Sequence, residues 1–137
     1  MALTLAEAKR VVDGAIAEAR KRNAEISVTV CNAEGRLIAL NRMDGAMAEA
    51  NRGSIGKAIA AASFGRPSDA AEASAGVPLR TGTVIGEGFP FDCRRGGLPI
   101  IHGGKVEGGC GIDGASSGEE DEACARAGLA ALGIRLA

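Results

Sequence analysis

The chain has 137 residues, enough for one hydrophobic core, and a formal net charge of −1 from sixteen basic and seventeen acidic side chains. With no basic stripe and only 2% aromatic residues, it lacks the cationic face and stacking rings that a nucleic-acid partner requires. No run is apolar enough to span a membrane, and the start, MALTLAEAKR, lacks the basic-then-apolar order of a signal peptide.

Apolar residues make up 46% of the chain, mostly alanine and branched aliphatics, with no Trp, no Tyr and three Phe. A core so poor in rings must rest on close helix–sheet contact through small residues. The expected organisation is a single domain over residues 1–137. Cys31, Cys93, Cys110 and Cys124 are scattered without a CxxC pair, which argues against zinc and against a disulfide framework. Reduced thiols place the chain in the cytoplasm. Cys31, Cys110 and Cys124 lie in apolar stretches and read as core fillers. Cys93 stands beside Arg94 and Arg95, which lower a thiol pKa, and is the one candidate nucleophile.

Thr4 and Glu7 form a capping box at the head of a first helix. Leu5, Ala8, Val12, Ala15, Ile16 and Ala19 recur at helical spacing, and Arg20–Arg22 close the helix with cations. Gly14, inside this helix, marks a close approach by another backbone. Ile26, Val28 and Val30 alternate with Ser27, Thr29 and Cys31 as a strand. Asn32–Gly35 is a turn, and Arg36–Asn41 returns as the second strand of a hairpin. Met47–Ser63 reads as a second helix with one side of small residues, suited to a sheet or to a second copy of the helix. Lys57 lies in this helix, as a solvated surface lysine or as a ligand group. Gly65-Arg66-Pro67 stops it, and Ser68 can cap a short helix over Asp69–Ser74.

Residues 76–97 are irregular, a loop long enough to be functional, in which Phe89 and Phe91 read as anchors to the core or as a pocket wall. Leu98–Ile101 then ends in His102, the sole histidine, and Gly103-Gly104 turns the chain back along Lys105–Ile112. Gly108, Gly109 and Gly111 are too many for an ordinary strand. They mark either a helix packed tightly on the strand or a ligand against bare backbone. Ser117 and Glu120 cap a last helix whose acidic first turn suits the helix dipole better than a metal. The order is helix, hairpin, helices, loop, hairpin, helix. This predicts an α+β fold, a small antiparallel sheet of two hairpins with helices packed on it.

An ordered set of short motifs resembles one bacterial family. The set comprises Leu3-Thr4-Leu5, Val30–Gly35, Arg42-Met43-Asp44-Gly45, Lys57-Ala58 with Phe64 and Pro67, Gly96–Ile100, and Gly111–Gly114 followed by Asp121-Glu122. The chain resembles the GlcG/HbpS-type proteins, similar to the C-terminal domain of PduO. The resemblance implies a profilin-like fold and a homo-oligomer. It also implies haem binding, as in some relatives, or a place among catabolic enzymes, as in others. Iron ligands in haem-binding relatives can come from the first helix, yet Leu5–Arg22 holds no His, Met, Cys or Tyr. Asn51-Arg52-Gly53 and Cys93-Arg94-Arg95 also depart from the family pattern and favour a small polar or anionic ligand.

Two functions are compatible with these residues. One is an oligomeric protein that binds haem or another small molecule. The other is a metal-independent lyase, hydratase or isomerase acting on a small carboxylate or carbonyl compound. In the second, His102 is the acid–base group and Cys93 a reserve nucleophile. Lys57, Arg94, Arg95, Gly96 and Gly97 are the expected ligand-binding residues, in a pocket between the 92–97 loop, the His102 end of the hairpin and Lys57, open to completion by a neighbouring subunit. The competing account leaves the arginines solvated or pairs them with the acidic last helix.

Overall fold

The computed structural model describes residues 2–70, 84–85 and 89–135. Helix α1 spans Leu5–Lys21, and its capping box is complete. The Glu7 N–H donates to Thr4 Oγ1 at 3.1 Å, and the Thr4 N–H donates to Glu7 Oε1 at 3.0 Å. Thr4→Ala is expected to cost about 1 kcal/mol of folding free energy, the usual worth of such a cap. An unchanged urea midpoint would show the cap to be idle.

Strands β1 (Ser27–Asn32) and β2 (Leu37–Arg42) form the first hairpin. Helix α2 covers Ala50–Phe64, starting three residues later than its small-residue pattern suggests. Glu49 at its head offers no side-chain cap, and Met47 and Ala50 close a turn instead. Two-residue strands β3 (Val84–Ile85) and β4 (Phe89–Pro90) pair with each other inside the segment expected to be irregular. Helical backbone begins at residue 68, and the remainder of the short helix expected over Asp69–Ser74 lies outside the described residues, as does most of the 76–88 loop. Phe91 is an anchor: its ring meets Phe64 with centroids 5.4 Å apart and packs beside Cys31, Ala58 and Ile59.

Strands β5 (Gly97–His102) and β6 (Lys105–Asp113) make the second hairpin. Its turn residues Gly103 and Gly104 both have positive φ. Helix α3 (Gly118–Ala130) follows, with Ser117 capping the Glu120 N–H as expected. The two hairpins join through β1 and β6 into one antiparallel sheet of order β2-β1-β6-β5. The outer strands are β2 and β5, and β5 carries Pro99.

Strand alternation divides the sheet into two faces. Ile26, Val28, Val30, Leu98, Ile100, Cys110 and Ile112 pack with α1 and α3 in the main core. There the two helices meet backbone to backbone, and a Cβ on Gly14 would lie 2.9 Å from the Ala127 carbonyl oxygen. The other face receives α2. Thr29 Oγ1 and Ser54 Oγ lie 2.8 Å apart, and Ser27 Oγ donates to Asn51 Oδ1 at 2.8 Å. Gly109 and Gly111 on β6 have no room for a side chain, since a Cβ on either would strike the backbone of α2. Their glycines therefore serve helix–sheet contact, which puts the α2 backbone directly against the strand.

Candidate functional site

Lys57 lies in the middle of α2 with 1% of its side chain exposed. The lysine stem runs between α2 and the sheet, and its ammonium emerges at the far end of β6. All three of its donors are used. Lys57 Nζ donates to the Ile112 carbonyl at 2.8 Å, Asp121 Oδ2 at 3.2 Å and Asp113 Oδ1 at 3.3 Å. A buried ammonium needs such a set, because desolvation of an isolated charge is prohibitive. Asp121, on the first turn of α3, is only 5% exposed and also accepts the Ala115 N–H at 3.0 Å. Burial pushes its carboxyl above the usual range, while the Lys57 charge pulls it back.

Gly96 and Gly97 close the cage. Gly96 has φ +133°, and a Cβ there would lie 2.9 Å from Lys57 Nζ and from the Asp121 Cβ. A Cβ on Gly97 would run into the Lys57 carbonyl. The double glycine thus lets the chain pass directly over the buried lysine.

Arg94 and Arg95 stand above the cage. Arg94 donates from Nε and Nη2 to Asp92, and from Nη2 to Asp113 Oδ2 at 3.1 Å. Burial works to raise Asp92, but the Arg94 guanidinium outweighs it and holds that carboxyl below its usual range. The same pairing with Asp92 raises Arg94 further, against a smaller opposing effect of burial. Gly53 in α2 makes room for the Arg94–Asp113 pair, since a Cβ there would overlap the Asp113 carboxylate. Arg95 donates to Glu122 Oε1 at 3.1 Å, so the acidic last helix does take one of the arginines.

Lys57, Cys93, Arg94 and Arg95 therefore line one open cleft of about 470 Å³, together with Asp69, Asp113 and Asp121. Cys93 is half-buried there. His102 is not among them. It ends β5, five residues beyond Gly97, which is roughly 17 Å along a strand. Its Nδ1 lies 2.9 Å from Glu107 Oε1, and Glu7 at the head of α1 is nearby. His102 is one-third exposed, and its Nε2 has no partner among the described residues. A groove of about 420 Å³ adjoins this pair, sharing Glu107 and lined also by Leu3, Ile38, Lys105 and Val106. The pocket expected from the sequence thus separates, in this chain, into two centres at opposite ends of β5.

Asp113, Asp121, Asp92 and Glu107 are the site groups that motif reading did not assign. One signal was available: residues 106–137 carry six acids against two bases.

A family model described as haem degrading protein HbpS-like matches residues 3–130. The chain belongs to the HbpS-like family. The crystal structure of HbpS is 31% identical, with a TM-score of 0.85 over 98% of this chain and 92% of that one. The Klebsiella pneumoniae protein ORFY is 24% identical, with a TM-score of 0.82 over 98% and 92%. A haem complex of PduOC is 22% identical, with a TM-score of 0.78 over 96% and 95%. No curated protein is significantly similar to the chain. For this HbpS-like protein the expected α+β fold and the GlcG/HbpS resemblance both hold. Among the described residues no helix is long and apolar enough to cross a membrane.

Proposed function

We propose that this HbpS-like protein binds a small ligand, that haem is such a ligand, and that His102 is the group that meets its iron. The family description names haem degradation, and the PduOC relative was crystallised with haem. The observation that carries the reading is the His102–Glu107 pair. Histidines that ligate metals commonly give their other ring nitrogen to a carboxylate, which fixes the tautomer and raises basicity. Here a 9%-exposed Glu107 holds Nδ1, and Nε2 is left to a ligand.

The buried sulfur donors fit less well. Burial pushes the Cys31 thiol up to about 12 and the Cys124 thiol up to about 11, and Cys110 is raised by the same cause. Met43 sulfur accepts the Ile26 N–H at 3.4 Å. No ligating side chain stands on α1. The groove beside the pair is mixed: Leu3, Ile38 and Val106 would shelter an apolar ring edge, Lys105 would meet a carboxylate, and Asn32, Glu34 and Glu107 form its polar part. Bound haem would supply a redox-active, Lewis-acidic iron. The chain's own contribution is to orient the imidazole and exclude water on one side.

We place this activity in a homo-oligomer in the cytoplasm. Exposed Leu5 and Met47 and the half-buried edge strand β2 support association, and four cysteines that form no disulfide suit a reducing compartment.

Titration of the purified protein with haemin is expected to give a Soret band that saturates at one haem per chain. His102→Ala should weaken binding by at least about tenfold, and Glu107→Gln by a similar factor through the imidazole it holds. Absence of a saturable band, or unchanged affinity and spectrum in His102→Ala, would refute the assignment.

A further inference from the structure

The cleft above Lys57 is lined by charges of both signs. Lys57, Arg94 and Arg95 face Asp69, Asp113 and Asp121. The cations are largely committed within the chain. Lys57 is caged, Arg94 is held by Asp92 and Asp113, and Arg95 is held by Glu122. A simple anion entering here meets carboxylates as well as guanidinium groups, and so does a simple cation.

Two groups retain capacity toward a ligand. Arg94 is 65% exposed, and its Nη1 has no partner among the described residues. Asp69 is exposed, its carboxylate takes no hydrogen bond from a described residue, and it lies close enough to Arg95 to raise that guanidinium's pKa. One donor and one acceptor of opposite charge, neither partnered by a described residue, thus border the same cavity of about 470 Å³. We propose that this cleft binds a small zwitterion of the α-amino-acid class, its carboxylate on Arg94 and its ammonium on Asp69. Guanidinium and carboxylate groups make strong charge-assisted hydrogen bonds with such partners. A ligand of zero net charge also leaves the balance around the buried lysine unchanged, which neither a bare acid nor a bare amine does.

The site shares no residue with the His102 centre, so its test is independent of the haem reading. The experiment is a calorimetric titration with L-alanine, L-serine and L-glutamine, each beside its deaminated acid and its decarboxylated amine. At least one amino acid should saturate at one per chain, with both truncated analogues at least tenfold weaker. Asp69→Asn, a change on an exposed side chain, should weaken the amino acid at least threefold and leave haemin titration unchanged. Arg94→Gln should do the same to amino-acid binding. A deaminated acid that binds as well makes this an anion site, and an amine that binds as well makes it a cation site. Either result overturns the proposal, and so does a lack of saturation by all three amino acids.

Discussion

Lys57→Ala is expected to lower the folding free energy by about 3–5 kcal/mol, the range seen when one partner of a buried ion pair is removed. The lost attraction is only part of the effect. Asp121 would remain 95% inside the protein without its cation, beside a second carboxylate on Asp113. The pair itself contributes far less than this loss. Replacing both charges, as in Lys57→Met with Asp121→Asn, should therefore recover most of the stability. The deficit should also depend on pH, with a definite sign. Burial already holds the Asp121 carboxyl above its unfolded value, and Lys57 is the main force opposing that shift. Without Lys57 the folded state takes up a proton that the unfolded chain still releases. The deficit of Lys57→Ala is then widest near neutrality and narrows as pH falls through the folded pKa toward about 4. Urea midpoints at pH 7 and pH 5 check both parts. A loss below about 1 kcal/mol, or a deficit that widens on acidification, would mean the cage is not what the distances describe.

Gly111→Ala is expected to be nearly as severe, for a reason of shape. A Cβ at residue 111 would penetrate the Ser54 carbonyl and lie 3.1 Å from the Ala58 Cα. Those atoms are helix backbone and cannot rotate aside, so α2 must lift from the sheet as a unit. Overpacking usually costs about 1–3 kcal/mol, and a rigid obstacle puts this variant at the upper end, about 3 kcal/mol. In a chain of this size that corresponds to a fall in Tm of about 10 °C. Gly104→Ala is the control. Gly104 has φ +76° and open space around it, so alanine there meets only the left-handed backbone penalty of about 1 kcal/mol. If the two variants melt together, contact between helix and sheet is not what Gly111 serves.

The periodic parts of this fold were legible in the chain. Period-two alternation located β1, helical spacing located α1, and capping residues Thr4 and Ser117 marked two helix starts. The junction of the two hairpins was not legible. It pairs Ser27 with Asp113 and Asn32 with Gly108, and nothing local in either strand names the other. The same limit applies to the cleft. Lys57 drew notice as a chemical group, but its burial depends on Asp113 and Asp121, 56 and 64 residues away. Asp121 in particular is fully accounted for, locally, by the helix dipole. That ready explanation conceals its contact with Lys57. The Gly96-Gly97 pair signalled close approach of something to backbone, and the approaching group proves to be Lys57.

The two borders of the sheet differ in what they offer another strand. Pro99 takes an N–H out of β5, so a ladder laid along that border lacks a donor. Strand β2 carries no proline, and its Leu37–Leu40 stretch is half-buried. Strand addition between copies is thereby favoured at β2 over β5, and two antiparallel edges meeting there would be related by a two-fold axis. Among the described residues β2 is the border that keeps its full set of donors. Pairing of that kind would close rather than propagate, so a proline on one border disfavours lateral growth of the sheet from the other.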